Sequence, residues 1–121
     1  MRRALVPVVL ITSALAVPAA NASKAPTRTQ RQQIAAFAKA PASCLKIRIA
    51  SSTNRYGSVT FNGAKYSTAN CARYATNGIT IVRRSNGKWR QRWAGSDCTD
   101  GRPRGRVPVE VWRDLTRSYC R

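Results

Sequence analysis

The chain contains no histidine, which excludes a Ser-His-Asp triad, a Cys-His dyad, imidazole acid/base catalysis and every histidine-containing metal site. Its four carboxylates, Asp97, Asp100, Glu110 and Asp114, all fall near the C-terminus. A pair of them is the remaining route to acid/base work, as in glycoside hydrolysis. Yet Asp97 and Asp100 flank Cys98 in a turn-forming stretch, and Glu110 and Asp114 stand one helical turn apart. Turn formation, dipole pairing and local ion pairs with nearby arginines account for all four without catalysis. A serine or threonine nucleophile would need lysine or a rarer base in place of histidine, and no motif marks one. The expectation is a non-enzymatic protein without catalytic residues or cofactors.

The side chains left to do chemistry are cations. Lys and Arg number 22 against 4 Asp and Glu in 121 residues, a formal net charge of +18, and no acid occurs between Ser23 and Ser96. Such a balance favours polyanionic partners, against the plainer reading of a generally basic, solubilising surface. Six cations alternate with apolar residues in strand-like runs and form the candidate anion-binding set: Lys46, Arg48, Arg84, Lys88, Arg90 and Arg92. Placing like charges on neighbouring strands destabilises a sheet, a cost that an anionic partner would relieve. The stretch Arg102-Pro103-Arg104-Gly105-Arg106 resembles the core of AT-hook peptides that enter the DNA minor groove. Val107 stands where that motif has proline, so a solvated loop is the plainer reading.

Compartment follows from the first residues and the cysteines. Met1-Arg2-Arg3, an apolar run from Ala4 to Ala20, and Ala20-Asn21-Ala22 read together as a signal peptide over residues 1–22. The run contains Pro7, Thr12, Ser13 and Pro18 and falls short of the ~20 apolar residues of a spanning helix, so cleavage is expected over anchoring. The product would be a secreted, extracellular monomer with no transmembrane segment. Export implies an oxidising compartment in which Cys44, Cys71, Cys98 and Cys120 form two disulfides. Four cysteines permit three connectivities. Cys44 with Cys71 and Cys98 with Cys120 are favoured, because the second bridge would tie a terminal helix to the segment feeding it. No C-x-x-C knuckle is present, which argues against a zinc site, and no metal is expected.

The elements that must position the cations follow from hydrophobic period. Residues 23–28 read as a mobile basic arm, and 29–121 as a single disulfide-stapled domain. Thr29 and Gln32 fit a capping box opening a helix whose apolar face holds Ile34, Phe37 and Ala38, ended by Pro41. Cys44 to Ala50 alternates as a half-buried strand, with Leu45, Ile47 and Ile49 inward and Lys46 and Arg48 outward. Tyr56 to Phe61 gives a second strand closed by Asn62-Gly63. Tyr66, Cys71 and Tyr74 suggest a third, irregular one. Ile79 to Ala94 reads as a hairpin. For Ile79, Ile81, Trp89 and Trp93 to share a face, the paired residue numbers must sum to an even value, which a two-residue loop cannot give. A three-residue loop, Ser85-Asn86-Gly87, satisfies the requirement with Gly87 left-handed in a G1 bulge. It pairs Arg84 with Lys88 and Ile79 with Trp93, hides both indoles and gathers Arg84, Lys88, Arg90 and Arg92 on the opposite face. Pro108 begins a C-terminal helix with Glu110 in its first turn, Arg113 and Arg117 later, and Val111, Trp112 and Leu115 as its apolar face. The fold class is therefore α+β: an N-terminal helix, a four- or five-stranded antiparallel sheet and a short C-terminal helix, in two layers with both helices on one side of the sheet and two disulfides.

Thr76-Asn77-Gly78, Ile81-Val82-Arg83-Arg84, Gly87-Lys88-Trp89, Gly95-Ser96, Cys98, Val107-Pro108, Val111, Asp114-Leu115 and Cys120 together resemble small secreted actinobacterial proteins of unknown function. The resemblance spans Cys44 to Cys120 and implies a shared fold and disulfide pattern, with no activity attached. Three functions are weighed on the residues themselves. The first is a secreted cationic binding module for an extracellular polyanion: wall polymer, anionic lipid or nucleic acid. The second is a secreted inhibitor or interaction partner of another extracellular protein. The third is a histidine-free hydrolase using Asp97, Asp100 or Glu110.

Overall fold

Residues 23–96 and 105–117 are described by the computed structural model. Along the chain come α1 (Arg28–Ala38), β1 (Leu45–Ile49), β2 (Tyr56–Phe61), the single turn α2 (Ala69–Ala72), β3 (Ile79–Ser85), β4 (Lys88–Gly95) and α3 (Val109–Thr116). Short 3-10 turns occupy Ala42–Cys44 and Gly63–Lys65. The strands form one antiparallel sheet in the order β1-β2-β3-β4. The class is α+β, as its alternation and helix signals predict.

Thr-x-x-Gln occurs twice at the start of α1, and the structure uses the earlier copy. Thr27 is the N-cap: its hydroxyl accepts from the Gln30 backbone N–H at 3.1 Å, and the Gln30 side chain accepts from the Thr27 N–H at 2.8 Å. This reciprocal box satisfies two otherwise orphaned donors. Shifting the start by two residues from the Thr29 expectation leaves Gln30, Ile34 and Ala35 as the buried residues. Phe37, expected inside, is 37% exposed. Lys39 ends the helix in a left-handed conformation, φ 54°, ahead of Pro41.

The expected third, irregular strand does not form. Residues 63–74 fold instead into the 3-10 turn and α2, both built from local hydrogen bonds such as Cys71 N–H to Thr68 C=O at 3.1 Å. A disulfide between Cys71 and Cys44, 27 residues apart, fastens this excursion beneath the start of β1. Closing a loop of that length is worth about 3–4 kcal/mol in the chain-entropy account. Cys98 and Cys120, the second expected pair, lie outside the described residues.

The hairpin departs from its expected register. Its turn has two residues, Asn86 (φ 51°) and Gly87 (φ 73°), the two successive left-handed residues of a type I′ turn, for which Asn-Gly is the favoured sequence. Ser85 pairs with Lys88, Arg84 with Trp89, Arg83 with Arg90 and Val82 with Gln91; beyond a bulge, Ile81 pairs with Trp93 and Ile79 with Gly95. The extra residue is Arg92. Paired residues share a face, so Trp89 lies with Arg84 and Val82, whereas Trp93 lies with Ile81 and Ile79 on the other side. The parity conflict set by the indoles is resolved by inserting a residue in β4, not by lengthening the turn.

Because of that insertion the sheet carries a buried core on each face. On one, α1 contributes Ile34 and Ala35 to a core with Leu45, Ile47, Ile49, Val59, Val82 and Trp89. The Trp89 indole N–H donates to the Gln33 carboxamide at 3.1 Å. On the other, Val107, Val111 and Leu115, from α3 and its approach, pack on Ala50 and Ile81, with Tyr56, Trp93 and Trp112 alongside. Trp93 and Trp112 meet edge to face at 4.6 Å. The neighbours Ile81 and Val82 are both 0% exposed, one in each core. The two helices are thus divided between the faces, in place of the one-sided arrangement expected.

Candidate anion-binding site

Among the described residues, the face of the sheet beneath α3 is only partly covered. α3 sits over the apolar residues of β3 and β4, while β1 and β2 present to the same side Lys46 opposite Thr60 and Arg48 opposite Ser58. The difference lies in the sequence. Strict alternation in Leu45–Ile49 sends every apolar residue of β1 to the α1 core and every cation to this face. In β3 Ile79 and Ile81 are apolar on one parity and Val82 on the other, so that strand feeds both cores.

A groove of about 1080 Å³ occupies the uncovered part. It is lined by Lys46 and Arg48 of β1, Ser58 and Thr60 of β2, the loop Thr76–Gly78, residues at the end of α3, and Ser23 and Pro26. Among the described residues, Arg31 and Arg117 bring its cations to four, against one acid, Asp114. Ser23 is held by Arg48, whose Nε donates to the Ser23 hydroxyl at 3.1 Å and whose Nη2 donates to the Ser23 carbonyl. Lys24 then pairs antiparallel with Ile49 through two backbone hydrogen bonds of 2.8 and 2.9 Å. The segment read from sequence as a mobile arm is therefore hydrogen-bonded to the outer edge of β1.

Asp114 is 3% exposed. Its Oδ2 accepts from the Ser51 N–H at 2.6 Å and from the Ser51 hydroxyl at 2.9 Å, tying α3 to the turn after β1. Its other oxygen, Oδ1, is buried with no hydrogen-bond partner. From the sequence, helix-dipole pairing and local ion pairs with nearby arginines were expected to account for Asp114. Its depth comes from its position between Val111 and Leu115 on the packed side of α3, an i, i+3 relation that the spacing already contains.

The six cations singled out from sequence do not form one patch. Lys46 and Arg48 line the groove. Lys88 and Arg90 share that side of the sheet but belong to β4, three strand spacings or roughly 14 Å across. Arg92, in the bulge, donates from Nε to the Arg106 carbonyl at 3.2 Å. Arg84, paired with Trp89, takes the α1 side. The common ladder of hairpin arginines was a consequence of the three-residue loop and is lost with it. Arg83, not among the six, stands opposite Arg90, with its guanidinium over the Tyr56 ring at 5.8 Å.

Among the carboxylates considered for hydrolysis, Glu110 is exposed in the first turn of α3, while Asp97 and Asp100 lie outside the described residues. Among the described residues there is no cluster of three or more Cys, Asp or Glu that could hold a metal ion, and no helix is long and apolar enough to cross a membrane. No family model, curated protein or solved structure matches the chain.

Proposed function

We propose that the protein is a secreted, non-enzymatic binding module for an extracellular polyanion, and that the groove beside β1 is where the polymer lies. The observation that carries this reading is the segregation of charge in the groove: among the described residues Arg31, Lys46, Arg48 and Arg117 line it, with Asp114 as the one acid. A concave wall of one sign with low-dielectric material behind it focuses potential more strongly than the same charges on a convex surface.

The test separates the groove from bulk charge. Lys46→Ala/Arg117→Ala and Arg84→Ala/Arg90→Ala remove the same two charges, one pair inside the groove and one outside it. With a single-stranded oligonucleotide as probe, loss of two phosphate contacts flattens the log K against log salt slope by about 1.4. We expect that change, with at least a tenfold loss of affinity, for the groove pair only. Equal effects of the two pairs, or no binding by the unmodified protein, would refute the groove as the seat.

A second reading, an inhibitor or partner of another extracellular protein, draws support from the exposed aromatics Phe37 and Tyr66, 37% and 67% accessible. Its complexes would survive salt that dissolves the polyanion complex.

A further inference from the structure

A second cavity, of about 480 Å³, lies on the α1 side of the sheet, where its lining includes Val59 of the α1 core and Thr80, the partner of Val59 in β3. Aromatic rings from separate parts of the chain converge on it: Phe37 from the last turn of α1, Phe61 from the end of β2 and Tyr74 from beyond α2. Exposed apolar side chains scattered singly carry no message, but these share one space, and Phe37 keeps 37% of its surface accessible there. The Tyr74 segment is tied down before any ligand arrives. Cys71 of α2 is bonded to Cys44, and the Tyr74 N–H donates to the Cys71 carbonyl at 2.9 Å. Arg73 holds its guanidinium over the Tyr74 ring, 4.9 Å from the centroid, which brings a cation to the cavity. Among the described residues lining it there is no carboxylate.

Leu45, Thr60, Phe61 and Thr76 line this cavity and the cationic groove alike. The two therefore adjoin where Leu45 pairs with Phe61, at the end of the β1–β2 ladder. Lys46 and Arg48 line one of these spaces, Phe37 and Tyr74 the other. A polymer that uses both must carry flat, stackable rings beside its negative charges. Polyol phosphates and phospholipid headgroups have the charge without such rings. Single-stranded nucleic acid has both, phosphates for a positive groove and open bases for aromatic side chains, and is held that way without regard to sequence. A duplex keeps its bases stacked on one another and offers phosphates and groove edges only. Resting on the polyanion reading, we infer that the polyanion is a single-stranded nucleic acid whose phosphates follow the groove at Lys46 and Arg48 and whose bases enter the cavity beside Phe37 and Tyr74.

The experiment compares binding of oligo(dT) with that of an abasic deoxyribose strand of the same length and phosphate number. At one salt concentration the abasic strand should bind at least about fivefold more weakly, the lower end of what stacking a single base contributes. The log K against log salt slopes of the two should nearly coincide, since their charges are equal. Phe37→Ala and Tyr74→Ala should each narrow the gap by weakening oligo(dT) while leaving the abasic strand unaffected, with near-ultraviolet dichroism reporting an intact fold. Phe37 is exposed on α1, so its variant keeps the test open even where Tyr74→Ala does not fold. Oligo(U) against an abasic ribose strand repeats the comparison, and a gap in the DNA series, the RNA series or both upholds the inference and names the strand taken. Equal affinity for base-bearing and abasic strands in both series would overturn it and leave the polyanion reading standing, as would a gap that neither substitution reduces. Failure of all four strands to bind would overturn both.

Discussion

Single residues in this sheet are constrained by what lies one step along their own strand. Gly95 shows how tightly. A Cβ built there would stand 2.5 Å from the Trp93 indole Cζ2 and 2.6 Å from its Cη2, because positions 93 and 95 point to the same face and the indole lies back over the glycine. The indole's edge-to-face contact with Trp112 beside the α3 core opposes a shift of the ring. Gly95→Ala should destabilise the protein by about 1–3 kcal/mol, the usual cost of overpacking, with a changed tryptophan emission spectrum in the native state. Urea unfolding monitored by fluorescence measures both, and an unchanged midpoint would mean that Trp93 has room elsewhere. Asp114 makes the same point from the polar side. Its chemistry was visible in the sequence but its burial was not, because burial depends on which side of α3 meets the sheet.

At the level of elements, α1 offers a direct comparison of two near-identical start signals. Thr27 makes the capping box and Thr29 lies exposed within the helix. Thr27→Ala should therefore cost about 1 kcal/mol, while Thr29→Ala should be neutral or slightly stabilising, alanine being the better helix former. Thermal unfolding of the pair checks this, and the opposite order would restore the start at Thr29. The strands were the legible part of the chain: Tyr56–Phe61 was bounded to the residue, and the alternation of Leu45–Ile49 placed Lys46 and Arg48 on the side they take. What could not be read was relational. Assuming one buried face forced Trp89 and Trp93 together and made the Asn86-Gly87 pair, itself a strong type I′ signal, look one residue too short. Ile81-Val82, two consecutive fully buried β-branched residues, was the clue that each face carries a core, since a half-exposed strand has no use for apolar neighbours. The segment 63–74 stayed obscure because its short turns have no period and its anchor is the bond from Cys71 to Cys44. Half of the groove's cations were legible for the same reason that β1 was; Arg31 and Arg117 join them only through the way the helices and the sheet edge come together.

For the whole molecule the dominant fact is charge. With four acids to set against 22 cations, most of the positive side chains have no ion-pair partner, and compaction brings them closer together than they are in the unfolded chain. Screening should accordingly stabilise the fold. We expect the melting temperature to rise by several degrees between roughly 10 and 300 mM sodium chloride, where the Debye length falls from about 30 Å to about 6 Å. A fall over that range would show that specific ion pairs outweigh the mutual repulsion.

The bulge at Arg92 has a bearing on how the protein acquires its structure. Neither helix touches the other's core, so each side of the sheet resembles a small domain of its own, too slight to persist in isolation. One inserted residue lets a single hairpin send an indole to either side, so the hairpin cannot complete one half without committing the other. Assembly and collapse of the two halves are thereby linked through a shared strand pair, and a protein with two separate interiors is expected to unfold as one cooperative unit.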